Sequence, residues 1–172
     1  MKAMNRLRRA QVRDALLYWV VIPAAVIGGG AALDRLLGLP RIPRRAAVTA
    51  LAVALLIAGN LLVAWSMRDL ARFGEGTPNP LAPPRRLVVE GSYAFCRHPM
   101  FLGYDLVALA VVLLLGSPGM LLGTFPAMLL FEVLFLRGEE RGLARRFPGK
   151  FEEYCRRVPF LLPLPLQRRG RP

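Results

Sequence analysis

The chain has 172 residues, 55% of them hydrophobic, yet it carries 24 Lys and Arg against 11 Asp and Glu, a formal net charge of +13. That length holds one domain. A soluble domain rarely combines such apolarity with such charge, whereas a membrane protein does so readily, with apolar spans and basic cytoplasmic segments.

A nucleic-acid binder would gather its arginines on one polar face; here they flank long apolar runs, so no nucleic-acid partner is expected. The two cysteines, Cys96 and Cys155, each sit beside an arginine and do not make a disulfide framework. Placed on the cytoplasmic side, they are expected as reduced thiols. With a single histidine, His98, and no ligand spacing, no metal site is expected.

A bilayer-crossing helix needs about 20 apolar residues. Residues 15–33 contain no charge, and neither do residues 46–67. The first of these runs also fits the basic-then-apolar layout of a signal peptide, but it is long for one and no small-x-small cleavage site precedes Asp34. Residues 74–84 contain Gly74, Gly76, Pro78, Pro80, Pro83 and Pro84 and read as a rigid, irregular linker. A further apolar stretch from Met100 to Leu136 is broken by Gly116-Ser117-Pro118-Gly119, a turn signal. It reads as a tight hairpin between spans at 99–115 and 120–136, with Pro126 expected to kink the second. Beyond it, Leu143, Phe147, Phe151 and Tyr154 recur at helical spacing, with Phe147-Pro148-Gly149 as an interruption. The expected fold is all-α: a polytopic membrane helix bundle of about four transmembrane helices plus a C-terminal amphipathic cytoplasmic helix. Within one domain, 1–73 is a two-span scaffold and 74–172 the catalytic half.

Lys2, Arg6, Arg8, Arg9 and Arg13 precede the first span; Arg68, Arg72, Arg85, Arg86 and Arg97 lie between the second and third; the tail from Arg137 is basic; the 3–4 turn is uncharged. Arg35, Arg41, Arg44 and Arg45 in the 1–2 loop run against this bias. The balance predicts both termini cytoplasmic.

The hairpin has a geometric consequence. His98 lies 18 residues before Gly116 and Arg137 lies 18 after Gly119. Both ends therefore return to one membrane face, and Arg97-His98 should neighbour Glu139-Glu140. A basic pair facing an acidic pair can hold a zwitterionic ligand; the plain alternative is an ion pair between helix ends. Asp105 lies seven residues past His98 and Glu132 seven before Glu139, so each shares a helix face with its partner, about 10 Å into the membrane. Carboxylates inside spans are functional candidates, with a hydrogen-bonded packing pair as the alternative. Pro99 suits the first turn of a helix. Gly103 permits close approach of a ligand or of a neighbouring helix. Tyr93 and Tyr154 either line a pocket or anchor an interface.

The order Gly76-Thr77-Pro78, Pro83-Pro84-Arg85-Arg86-Leu87-Val88, Gly91-Ser92-Tyr93, Arg97-His98-Pro99-Met100-Phe101-Leu102-Gly103, Glu139-Glu140, Leu143, Arg145-Arg146-Phe147, Tyr154 and Arg157-Val158-Pro159 resembles the S-adenosylmethionine-dependent methyltransferases of the isoprenylcysteine carboxyl / phospholipid methyltransferase family. The likeness covers roughly residues 74–163. It implies S-adenosylmethionine held at the cytosolic ends of the last two spans by Tyr93, Arg97, His98, Pro99, Gly103, Glu139, Glu140 and Tyr154. An arginine can clamp the cofactor's carboxylate through paired hydrogen bonds, and a glutamate can accept from its ammonium or ribose. The acceptor implied is a lipidic or amphipathic molecule entering from the bilayer. If it is a carboxylate, Arg97 would hold it and no base is needed; if an amine, Glu132, Asp105 or His98 would take its proton.

The chain departs from the family pattern at Phe101, where tyrosine is usual, at Arg141 in place of proline, at Pro148 in place of glycine, and at Ala110-Val111, where many relatives have a glutamate. These departures bear on the acceptor more than on the cofactor. Two other readings stay open: a nicotinamide-dependent membrane reductase with a similar C-terminal part, and a non-catalytic adaptor of the same fold.

Overall fold

The computed structural model describes residues 20–75 and 85–162. The basic residues ahead of the first span, residues 15–19 of that span, the linker from Gly76 to Pro84 and the tail beyond Leu162 lie outside them. Among the described residues all regular secondary structure is helical. In chain order the helices are α1 (Ile22–Leu36), α2 (Ala46–Gly74), a 3-10 turn (Gly91–Ala94), α3 (Pro99–Leu115), a π turn (Met120–Thr124) leading into α4 (Phe125–Arg146), and α5 (Lys150–Arg157).

α2 and the continuous Met120–Arg146 helix are long and apolar enough to cross a membrane. Only 11% and 17% of their most apolar stretches are covered by protein. Leu51, Ile57, Leu61 and Trp65 on α2, and Leu130, Phe131, Leu134 and Phe135 on α4, are exposed. Surfaces of that kind are costly in water and at no cost in acyl chains. α3 is a shorter apolar helix.

Helix ends differ from the sequence expectation in an instructive way. α3 begins at Pro99 and ends at Leu115, as the proline and the Gly116 turn dictate. Gly116 takes φ +61°, which an L side chain resists, and this reverses the chain. α2 continues to Gly74, past the end of its apolar run at Met67, and α4 continues ten residues past Leu136. Hydropathy marks where lipid ends; the backbone hydrogen-bond ladder is indifferent to that boundary. The helix widens to a π turn at Met120–Thr124, just ahead of Pro126. Proline has no N–H to donate and its ring crowds the carbonyl four residues back, and a π turn accommodates both.

The described residues form two compact units, one of residues 20–57 and 105–135 and the other of 58–75, 85–104 and 136–162. In the first, Val112, Met120 and Phe125 form a buried core with Ala31, Leu109 and Leu129 against it. α1 is fixed there by polar contacts: Thr124 donates to the Val26 carbonyl at 2.8 Å, and Asp34 accepts from Gly119 N at 2.7 Å and from the Ser117 hydroxyl. Ser117 in turn accepts from Met120 N at 3.0 Å, an N-cap for the helix that follows.

In the second unit, Phe151, Tyr154 and Val158 form a core with Leu87, Leu143 and Phe147 packed against it. Full burial of each such side chain contributes about 1.5–3 kcal/mol. The break between α4 and α5 falls at Phe147–Gly149, where Gly149 takes φ +76° and precedes the first residue of α5.

Candidate functional site

All the polar groups expected at the cofactor site fall in the second unit. The Arg97 guanidinium lies 2.9 Å from Glu140 Oε1, with side chains 15% and 17% exposed. His98 Nε2 lies 3.1 Å from the same oxygen. A carboxylate only accepts, so Nε2 carries the proton in this contact. Arg97 also donates to Cys155 Sγ at 2.6 Å and stands over the Phe160 ring at 5.4 Å. Phe160 meets the His98 ring edge-on at 5.0 Å. One carboxylate thus gathers a guanidinium and an imidazole, and an aromatic ring covers both.

The backbone fixes this cluster from three sides. Arg97 N donates to the Pro159 carbonyl at 2.9 Å, tying the segment before α3 to the segment after α5. Pro99 is fully buried at the first turn of α3, and Leu102 N donates to the His98 carbonyl. Glu140 therefore stands at the positive end of α3, where a carboxylate is favoured. The Tyr154 hydroxyl donates to the Tyr93 carbonyl at 2.7 Å, pinning the 3-10 turn to α5. On its other side, Asp69 of α2 accepts from Ser92 N at 2.7 Å.

Burial sets the ionisation of the groups around the cluster. It pushes the Tyr93 hydroxyl well above its ordinary range, and the negative charges of Glu139 and Asp69 add to the effect. Burial likewise raises Tyr154, against a smaller opposing effect of Arg97. Cys96 is 1% exposed and is pushed up to about 11 by burial, against a hydrogen bond from the His98 backbone. Burial also raises Cys155, opposed by Arg97.

Each residue singled out from the sequence can now be placed. Arg97, His98, Pro99 and Glu140 are brought together, and Tyr93 and Tyr154 are joined beside them. Glu139 is exposed and within electrostatic reach of Tyr93, so the two adjacent glutamates have different surroundings. Gly103 is buried against α2: a Cβ there would stand 2.8 Å from the Gly59 carbonyl and 2.7 Å from Val63 Cγ2, so its close approach is to a helix. In the first unit, Asp105 Oδ1 and Glu132 Oε1 are each buried with no hydrogen-bond partner among the described residues. Phe101 packs edge-on to His98 and Tyr104.

Three contributors escaped the sequence reading. Asp69 is an isolated acid between Arg68 and Arg72, and its isolation was the available signal. Cys155 lies within the Tyr154–Pro159 motif and Phe160 directly after it, but neither carries a pattern of its own.

Comparison with known proteins assigns the chain to a family. The phospholipid methyltransferase family matches residues 47–150, a stretch that takes in α2 as well as the hairpin. A protein-S-isoprenylcysteine O-methyltransferase of Schizosaccharomyces pombe is 33% identical over 85 residues, covering 45% of this chain and 33% of the relative. The chain thus spans about a third of the length of that curated relative. No solved structure matches. The family match extends over more than half of the chain and includes Arg97-His98-Pro99 and Glu139-Glu140, so the chain belongs to the phospholipid methyltransferase family.

Proposed function

We propose that this chain is a membrane methyltransferase that takes its methyl group from S-adenosylmethionine and delivers it to a lipidic or amphipathic acceptor arriving from the bilayer. The observation that carries the reading is the convergence of Arg97 and His98 on Glu140 within the matched region. In the same reading there are four spans, both termini are cytoplasmic, residues 74–172 are the catalytic half, and residues 1–73 are its scaffold.

The donor set fits a zwitterionic cofactor. Among the described residues Arg97 Nε is a buried donor without an acceptor, which a ligand carboxylate would satisfy. Glu139 offers an exposed carboxylate for an ammonium or a ribose hydroxyl, and Glu140 orients Arg97 and His98. Pro99, Tyr93 and Tyr154 hold these groups in place, and Gly103 sets the α2–α3 spacing beneath them. The cofactor supplies an electrophilic methyl group on a sulfonium. Methyl transfer is a one-step displacement, so the protein's part is to position the acceptor and exclude water. Arg97 would hold a carboxylate acceptor. An amine acceptor would in addition need a base to take its proton.

The test is to incubate purified protein with methyl-labelled S-adenosylmethionine and either membrane lipid extract or a prenylated-peptide extract, and to identify labelled products by mass spectrometry. A labelled lipid or prenylated peptide that disappears with Arg97→Ala supports the proposal. Absence of any labelled product across lipid and peptide extracts overturns it, and oxidation of NADPH by the same preparation would favour a reductase.

A further inference from the structure

We infer that the polar extension of α4 is a binding surface for anionic phospholipid headgroups, formed by Arg137, Arg141 and Arg145. The three residues follow one another at intervals of four on a continuous helix, so they lie along one face, within about 80° of arc. All three are exposed, and none forms an ion pair with a described residue. Among the described residues Arg141 Nε bonds the Arg137 carbonyl alone, at 3.3 Å, and the side chain is exposed.

The nearest carboxylates on the helix do not neutralise this face. Glu139 lies about 120° or more around the helix from each of the three arginines, and Glu140 lies about 60° from Arg137, the nearest of them. Glu140 is already held by Arg97 and His98. On α5, Glu153 is held by Arg157. A Cβ added at Gly138 or Gly142 would meet no described residue within 4 Å, so the helix is open beside the stripe.

Position decides the partner. The apolar run of α4 ends at Leu136, and Arg137 follows directly. In a helix that spans a bilayer, this places the stripe at the level of the lipid phosphates, where each basic residue attracts an anionic leaflet. Guanidinium groups match phosphate oxygens by paired hydrogen bonds. Arg141 stands where the family commonly has proline, a residue that would remove the middle of the stripe. The inference rests on α4 crossing the membrane and not on methyl transfer.

The experiment uses the full chain in detergent, titrated with phosphatidylglycerol or phosphatidylcholine and followed by native mass spectrometry. Phosphatidylglycerol should be retained at least tenfold better than phosphatidylcholine. Replacing all three residues, Arg137→Gln with Arg141→Gln and Arg145→Gln, should lose about tenfold of that retention, while the corresponding triple lysine variant keeps it within threefold. Arg41→Gln with Arg44→Gln and Arg45→Gln removes equal charge from an exposed loop and should change retention less than twofold. Equal retention of the two lipids, an unchanged triple glutamine variant, or an equal loss in the loop variant would each overturn the inference.

Discussion

His98 Nε2 lies 3.1 Å from Glu140 Oε1, although 42 residues and a complete helical hairpin separate them in the chain. The same oxygen accepts from Arg97 at 2.9 Å. Removing Glu140 would leave a guanidinium that is only 15% exposed without its counter-charge. Glu140→Ala should therefore lower stability by about 1–3 kcal/mol, the cost of stranding a buried polar partner. Glu153→Ala breaks an exposed pair with Arg157 and should cost under about 1 kcal/mol. Thermal unfolding of the two variants in the same detergent compares them; equal shifts would mean that Arg97 finds another partner.

Gly103→Ala places a methyl group against the Gly59 carbonyl and Val63 of α2. A backbone oxygen cannot rotate away, so the helices must part. The expected cost is about 1–3 kcal/mol of overpacking. It is read as a fall in the unfolding midpoint, and Gly142→Ala, where nothing lies within 4 Å, serves as the control that should show no fall.

Asp69→Ala deprives Ser92 N of its acceptor at a position where both residues are buried. The 3-10 turn should loosen locally while the hairpin persists. Hydrogen exchange at the Ser92 amide should speed up at least tenfold, the change for about 1.4 kcal/mol of lost protection. An unchanged rate would show that the turn is held by the Tyr154–Tyr93 hydrogen bond alone.

The two thiols should react unequally. Cys96 is 1% exposed, and burial pushes it up to about 11, so it stays a protonated thiol through the neutral and mildly alkaline range. Its folded value is above its ordinary one, so the neutral buried form favours folding at low and neutral pH, and that contribution is lost as pH rises toward 11. Cys155 is partly exposed and beside Arg97, which opposes the effect of burial on its thiol. Maleimide at pH 8 should label Cys155 first, and Cys96 only on unfolding. Faster labelling of Cys96 would contradict the burial of the segment before α3.

Much of this arrangement was legible in the sequence, for local reasons. Pro99 and Gly116 bracket α3 because one residue starts a helix cheaply and the other permits a positive φ. The meeting of Arg97-His98 with Glu140 followed from equal arm lengths about a turn. Asp34, by contrast, caps Ser117 and Gly119 from a distant helix, and no local pattern marks such a contact. Gly103 was ambiguous because a close approach to a ligand and a close approach to a helix require the same missing side chain. The overrun of α2 and α4 beyond their apolar runs was missed because hydropathy reports the solvent, while helix length depends on the polar residues that follow, such as Arg68 to Arg72 and Arg137 to Arg146.

The central claim is that the cluster around Glu140 holds S-adenosylmethionine. Calorimetric titration of the purified chain with S-adenosylmethionine, against NADPH as comparison, tests it most directly. The account predicts binding of S-adenosylmethionine and none of NADPH. His98→Ala and Glu140→Ala should each weaken that binding at least tenfold, since a charge-assisted hydrogen bond is worth about 1.5–3 kcal/mol. Unchanged affinity in both variants with native helicity, or binding of NADPH in place of S-adenosylmethionine, would contradict it.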